Sequence, residues 1–276
     1  MMFVALKILV RDLLSLIRWG GRKLLGRPDP SGLRILLYHA VSDIPRSTDP
    51  VRMSVPPALF QQQIGWLKKQ GHHFLSFEEA LWILRGERPM PARAVLITFD
   101  DGFGDLWRHA FPVLKQAQAP TTVFVVPQFI GTPSPFPWLD KKTPFGRPLS
   151  WEELNQLSRE PLVSVGSHGW SHRALGDLPA QEQLQEVRQS REQLNQRLGL
   201  PVRWFAYPYG CRGSYSPETI ECLKQAGYEA ACSNLMGTNP TGDSLWELKR
   251  TRIGWEDSLW RFRLKMAGAY DWIDRR

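Results

Sequence analysis

The chain has 276 residues, 42% of them hydrophobic, which suits one large α/β domain with a substantial core. Its three cysteines, Cys211, Cys222 and Cys232, are odd in number and lack the close pair of a zinc knuckle. That pattern argues against a disulfide framework or a cysteine zinc site and leaves core packing for all three. The formal charge of +8 is concentrated at the N-terminus: residues 1–28 hold six basic side chains against Asp12. No basic run with interleaved aromatics marks the rest, so no nucleic-acid partner is expected.

Phe3, Leu6, Leu9, Val10, Leu13, Leu14 and Ile17 recur at three- and four-residue spacings. They predict an amphipathic helix with Lys7, Arg11 and Arg18 toward its other side. Its uncharged stretches fall far short of the ~20 residues that span a bilayer. Charges at Lys7, Arg11 and Asp12 interrupt the core that a signal peptide needs. Two uses of the stripe remain: lying in the interface of an anionic membrane, or docking onto the protein's own body. The expected location is cytoplasmic or peripheral to a membrane. Trp19-Gly20-Gly21-Arg22-Lys23 and Pro28-Asp29-Pro30 read as a linker. The expected organisation is a helix and linker over residues 1–30, then one domain over 31–276.

Residues 33–39 predict a buried strand ending in His39. Residues 56–70 predict a helix with Leu59, Phe60, Ile64 and Leu67 on one side, opened by proline and closed by Gly71. Residues 76–86 predict another, opened by the capping-box pattern Ser76-Phe77-Glu78-Glu79. An apolar strand over residues 94–99 follows, then a helix over 104–118 and a β-branched strand over 121–126. Residues 127–148 carry six prolines and read as a long loop with Phe129, Phe136 and Trp138. A helix capped by Ser150, a strand over 162–167 that delivers His168, and a long polar helix over 180–198 come next. The last elements are strands over 202–207, 228–233 and 247–253 and a helix over 216–226. Strands alternating with helices predict parallel strands joined by crossover helices, as an open sheet or a barrel.

Three strand exits carry site-like chemistry. Residues 96–102 end in Asp100-Asp101-Gly102. Two adjacent carboxylates there are either a turn and helix cap or a metal ligand beside a group that works on an attacking water. The strand over 162–167 leads into His168-Gly169-Trp170-Ser171-His172, in which two histidines four apart can reach one metal ion. Gly169 stands where a zinc peptidase needs its glutamate, which disfavours that chemistry. The strand over 202–207 leads into Tyr207-Pro208-Tyr209-Gly210. In parallel α/β folds the C-terminal strand ends converge on one face. His72 and His73 fall in a helix-exit turn and read as solvated, and His109 reads as a satisfied or exposed helical residue.

Thr98-Phe99-Asp100-Asp101-Gly102, the pair His168/His172 and Tyr207-Pro208-Tyr209-Gly210 resemble three ordered motifs of the polysaccharide deacetylases, over roughly residues 33–253. This family includes chitooligosaccharide, chitin and peptidoglycan deacetylases. The resemblance implies a distorted (β/α) barrel and a divalent metal, commonly Zn2+ and sometimes Co2+ or Ni2+. It implies Asp101, His168 and His172 as metal ligands, Asp100 as general base, and the backbone N–H of Tyr209 as a donor to the tetrahedral oxyanion. The implied substrate is an N-acetylated glycan: a GlcNAc-type polysaccharide, an oligosaccharide or a lipid-linked sugar. O-deacetylation, or carbohydrate binding without catalysis on the same scaffold, are the alternatives.

Two departures from the family pattern stand out. Many members carry an arginine, which fixes the catalytic aspartate, where this chain has Ala206. Arg252 on the last strand is the expected substitute, with Arg250 the next choice. No histidine follows His172, so the family's late acid is missing. The segment Tyr38-His39-Ala40-Val41 is similar to the early strand of the permuted poly-N-acetylglucosamine deacetylase subgroup, which makes His39 the candidate acid. Trp170 is the tryptophan expected to face the site, and Trp138 is a second choice for stacking on a sugar ring.

Overall fold

The computed structural model describes residues 2–26, 31–133, 136–139 and 145–273. The Pro28-Asp29-Pro30 linker, Pro135, Pro144 and the side chains of Phe3, Leu6, Lys7 and Leu9 lie outside the described residues.

After a long helix, α1 (Met2–Leu24), the chain runs β1 (Arg34–Tyr38), β2 (Ala40–Val41), β3 (Ser54–Val55), α2 (Pro57–Lys69), β4 (His73–Phe74) and α3 (Phe77–Leu84). It continues through β5 (Ala94–Phe99), α4 (Phe111–Ala117), β6 (Thr121–Val125), α5 (Trp151–Ser158), β7 (Val163–Ser167) and α6 (Ala180–Leu198). The last elements are β8 (Trp204–Ala206), α7 (Pro217–Gln225), β9 (Ala230–Cys232), β10 (Arg250–Arg252) and α8 (Leu259–Met266).

The main sheet runs β10-β1-β5-β6-β7-β8-β9, with β4 added beside β5. Every pairing in it is parallel. Leu248, just ahead of β10, bridges Cys232 on β9, so the two edges of the sheet nearly meet. The result is a distorted, nearly closed (β/α) barrel, one of the two arrangements that the alternation of elements allowed and the one that the family resemblance implied. Because all strands point one way, His39, Asp100, His168 and Tyr207 leave β1, β5, β7 and β8 at the same end.

Side chains alternate across the barrel wall, as the period of two in a strand requires. Leu36, Val95, Ile97 and Phe99 face outward and pack under α2, whose Phe60, Ile64 and Leu67 are buried against them. Each of those three side chains contributes about 1.5–3 kcal/mol by leaving water. Ile35, Leu96, Phe124, Trp204, Ala206, Ala230 and Cys232 fill the second cluster, inside the barrel. On that face the Phe124 ring of β6 lies over Gly166, its partner in register on β7. A Cβ on Gly166 would lie 2.4 Å from the Phe124 ring, so β7 needs a glycine at that point.

Helix starts follow the sequence signals closely. The capping boxes Ser76/Glu79 and Ser150/Glu153 are both formed, and such caps contribute ~1 kcal/mol each. The helix expected over 104–118 begins instead with a π-helical turn, Leu106–Ala110, before α4. His109 on that turn is satisfied: its Nδ1 donates to Val41 O at 2.8 Å. His73 starts β4 and is exposed, whereas His72 is half-buried against Trp66, which corrects the solvated reading of His72. Cys222 and Cys232 are buried, but Cys211 is exposed, so core packing holds for only two of the three cysteines. The short β2/β3 pair and α8 carried no clear periodic signal.

Candidate active site

The exits of β1, β5, β7 and β8 and the end of β10 surround a cavity of about 330 Å3. Its wall includes His39, Asp100, Asp101, His168, His172, Tyr209 and Arg252. All seven catalytic and metal-ligand candidates named from the sequence therefore meet in one place. Three of them, Asp101, His172 and Tyr209, have positive φ angles of 70°, 64° and 62°. Left-handed backbone at non-glycine residues is uncommon, and it gathers where the surrounding structure enforces a functional geometry.

Asp101, His168 and His172 are buried and offer ligand atoms that all lie within 4.8 Å of one another. Asp101 Oδ1 is 3.5 Å from His168 Nε2 and 3.4 Å from His172 Nε2. Two atoms bound to one tetrahedral zinc at about 2.0–2.1 Å would lie about 3.3 Å apart. Neither carboxylate oxygen of Asp101 has a hydrogen-bond partner, although the residue is only 1% exposed. A buried carboxylate normally finds partners, so this orphaned pair beside two imidazoles fits a cation. Burial pushes the Asp101 carboxyl up, but His172, His39 and His168 outweigh it and hold the group at about 2. Burial also holds His168 down to about 4, against the pull of Asp100, so its ring is neutral as a ligand must be.

The two histidines are fixed in different ways. His168 Nδ1 donates to Ala206 O at 2.8 Å, which leaves Nε2 as the lone-pair nitrogen facing Asp101. His172 is held by packing: Trp138 stacks on its ring with centroids 3.9 Å apart, and the Tyr209 ring meets it edge-on. The loop between them is tied to α6 by Glu186, which accepts from the backbone N–H groups of Trp170 and Ser171 and from Ser171 Oγ. Glu186 was hidden in the sequence among the polar residues of its helix. Trp138 lines the cavity and Trp170 does not, reversing the expected order of the two tryptophans.

Asp100 takes a different environment from its neighbour. Arg250 clamps it through two hydrogen bonds of 2.7 Å, one to each oxygen. Arg250 also donates from Nε to Ser233 O and from Nη2 to Asn234 Oδ1, and it is fully buried. Burial raises the Asp100 carboxyl, but the guanidinium and His168 bring it below the ordinary carboxylate range. The orienting arginine is thus Arg250, not Arg252, and the register explains why. Arg250 lies on the row of Ile35 and Leu96, deep in the barrel, and its long side chain reaches Asp100 through the interior. Arg252, on the row of Leu37 and Thr98, instead opens into the cavity near His39.

His39 is buried at the cavity wall, and its Nδ1 has no hydrogen-bond partner. It is not a strand-end histidine tied to backbone. Its pKa lies below the ordinary imidazole value: burial lowers it most, Arg252 and Arg250 add to that, and the charges of Asp101 and Asp100 only partly offset them. The Tyr209 carbonyl accepts from Asn234 Nδ2, while the Tyr209 N–H has no acceptor among the described residues. Asn234 therefore links the arginine behind Asp100 to the segment that carries this N–H.

A family model for polysaccharide deacetylases matches residues 87–231, just over half of the chain. The chain belongs to the polysaccharide deacetylase family. These enzymes are hydrolases. The protein is 27% identical over 224 residues to the putative polysaccharide deacetylase YxkH of Bacillus subtilis, covering 81% of this chain and 72% of YxkH. It is 28% identical over 233 residues to the poly-beta-1,6-N-acetyl-D-glucosamine N-deacetylase of Escherichia coli. That match covers 72% of this chain but only 33% of the larger relative. Among solved structures, IcaB from Ammonifex degensii superposes with a TM-score of 0.74 at 27% identity, covering 88% of this chain and 98% of IcaB. The Streptococcus pyogenes deacetylase PplD, solved in complex with acetate, gives 0.73 at 25% identity over 86% of this chain and 99% of PplD. The fold, and the family named from its motifs, agree with the reading of the sequence.

Proposed function

We propose that the protein removes N-acetyl groups from a GlcNAc-type glycan, using Zn2+ held by Asp101, His168 and His172. The observation that carries this reading is the orphaned, buried Asp101 carboxylate with two imidazole Nε2 atoms at 3.4 and 3.5 Å. One carboxylate and two imidazoles form a ligand set that suits zinc and leaves coordination positions open for reactants. When bound, the cation would polarise the acetyl carbonyl and make a water easier to deprotonate.

The chain's own residues divide the rest of the reaction. Asp100, kept ionised by Arg250, takes the proton of the water that attacks the acetyl carbon. The Tyr209 N–H donates to the oxygen on which negative charge develops. His39 gives a proton to the amide nitrogen as the carbon–nitrogen bond breaks, so that acetate and a free amine leave. Trp138, already stacked on His172, offers an aromatic wall for a sugar ring.

Peripheral membrane contact through residues 1–28 is part of the same reading. No helix among the described residues is long and apolar enough to cross a membrane.

Acetate release from N-acetylglucosamine oligomers, compared with acetylated xylan, tests the proposal. Release from the oligomers should stop on chelation and return with added Zn2+. Chelator-resistant release, or faster release from the xylan, contradicts it.

A further inference from the structure

Helix α1 packs on the barrel by one side only. The Asp12 carboxylate accepts from the Tyr270 hydroxyl at 2.9 Å and from Arg261 Nε at 3.0 Å. Ser15 Oγ accepts from Trp272 Nε1 at 3.1 Å, and Leu16 and Trp19 pack against the cluster of Leu264, Ala269 and Tyr270. At 100° per residue, Val10, Leu13, Leu14 and Ile17 fall on the opposite side. They are 48%, 56%, 43% and 61% exposed. The helix therefore does dock on the body, but by its mixed face, and Val10, Leu13, Leu14 and Ile17 of the stripe read from the sequence are left uncovered. A contiguous apolar strip of this kind marks an interaction surface.

Charge identifies the partner. Residues 1–28 hold six basic side chains and one acid, and that acid, Asp12, is engaged by Arg261 and Tyr270. An uncovered apolar stripe on a cationic helix suits the interface of an anionic bilayer.

The position of the helix adds the direction. Arg11 Nη2 lies 4.0 Å from Glu256 Oε1, which lies 3.1 Å from Arg52 Nη1. Arg52 sits between Val51 and Met53, both on the cavity wall, and Val51 is half exposed. Running back from Trp19 to Arg11, α1 thus climbs toward the cavity rim. Residues 2–10 continue beyond it for roughly 13 Å at 1.5 Å per residue. In sequence this extension carries Phe3, Lys7 and further members of the stripe.

We infer that α1 lies in the interface of an anionic bilayer and holds the cavity mouth at that surface, so that the glycan processed is one carried by the membrane. The substrate half of this inference rests on the deacetylase reading; the membrane half does not.

The test uses the full chain, vesicles of phosphatidylcholine with or without phosphatidylglycerol, and one N-acetylglucosamine oligomer supplied free or attached to a lipid anchor. Wild type should co-sediment with the anionic vesicles and not the neutral ones. It should act at least tenfold faster on the anchored oligomer. Leu13→Glu with Ile17→Glu should abolish co-sedimentation and that preference, with activity on the free oligomer within twofold of wild type. Asp12→Ala, which loosens the docking but keeps the stripe, should still co-sediment yet lose most of the preference. Wild type that ignores anionic vesicles overturns the inference. An Asp12→Ala protein with the full preference overturns the orienting role. If no acetate is released from either oligomer, the deacetylase reading fails, and co-sedimentation still decides the membrane contact.

Discussion

The two sides of the cavity floor are built on opposite plans. On the side of the proposed base, Asp100 is fully satisfied: both oxygens are bonded to Arg250, which is itself anchored by Ser233 and Asn234. On the side of the proposed acid, His39 has a buried Nδ1 with no partner among the described residues. The contrast separates a group whose charge and orientation are set by fixed hydrogen bonds from one whose ring is held without a bond at Nδ1. It also implies that the base side is bound into the stability of the barrel, whereas the acid side can be altered at little structural cost.

Removing the clamp should have the largest effect. Arg250→Met leaves the Asp100 charge buried and unpaired, which costs about 3–5 kcal/mol of stability. It also releases the base from its orientation, a kind of displacement that costs on the order of 10²-fold in rate. The expected outcome is a thermal midpoint lowered by several degrees and acetate release reduced at least a hundredfold. Arg252→Met should leave the midpoint nearly unchanged. Equal losses of stability in the two variants would erase the distinction between these arginines.

His39→Ala should sharpen the comparison from the other side. Loss of a general acid costs about 10²–10⁴-fold in rate, with a thermal midpoint close to that of wild type. The signature is a loss in kcat that shrinks for an acetyl ester substrate, whose leaving group needs the acid less. An equal loss on amide and ester would remove His39 from that role.

The smallest effect is one of pH on the metal-free protein. Burial holds His168 down to about 4, whereas an unfolded histidine titrates near 6.5. Between those values the unfolded chain binds a proton that the folded chain refuses, so stability falls as pH drops through that window. The urea midpoint of chelated protein should decline from about pH 6.5 to 4, less steeply in His168→Gln. A flat midpoint across that range contradicts the proposed environment of His168.

The barrel and the strand-end site were legible because their signals are local. Alternating strand and helix patterns fix parallel strands, and parallel strands bring Asp100-Asp101, His168 and Tyr207 to one end whatever else the chain does. The clamp was less legible because it depends on register. Arg250 and Arg252 share a face of β10, and only their row in the barrel decides which one reaches Asp100. Glu186 and Asn234 act through backbone groups of distant loops, and no spacing in the sequence announces that. Trp138 packs on His172 from a distant loop, whereas Trp170, between the two histidines in sequence, does not line the cavity, so proximity in sequence is a poor guide to packing here. The helix α1 teaches the same lesson in reverse. Its amphipathic pattern is local and visible in the sequence, but the side that docks is set by Tyr270 and Trp272, some 250 residues away in the chain.

The central claim is that two adjacent aspartates do different jobs, Asp101 holding a metal and Asp100 moving a proton. Metal content and acetate release measured together on Asp100→Asn and Asp101→Asn test it most directly. The account predicts that Asp100→Asn keeps its zinc and loses acetate release, while Asp101→Asn loses both. Full activity in Asp100→Asn, or wild-type zinc content in Asp101→Asn, would contradict it.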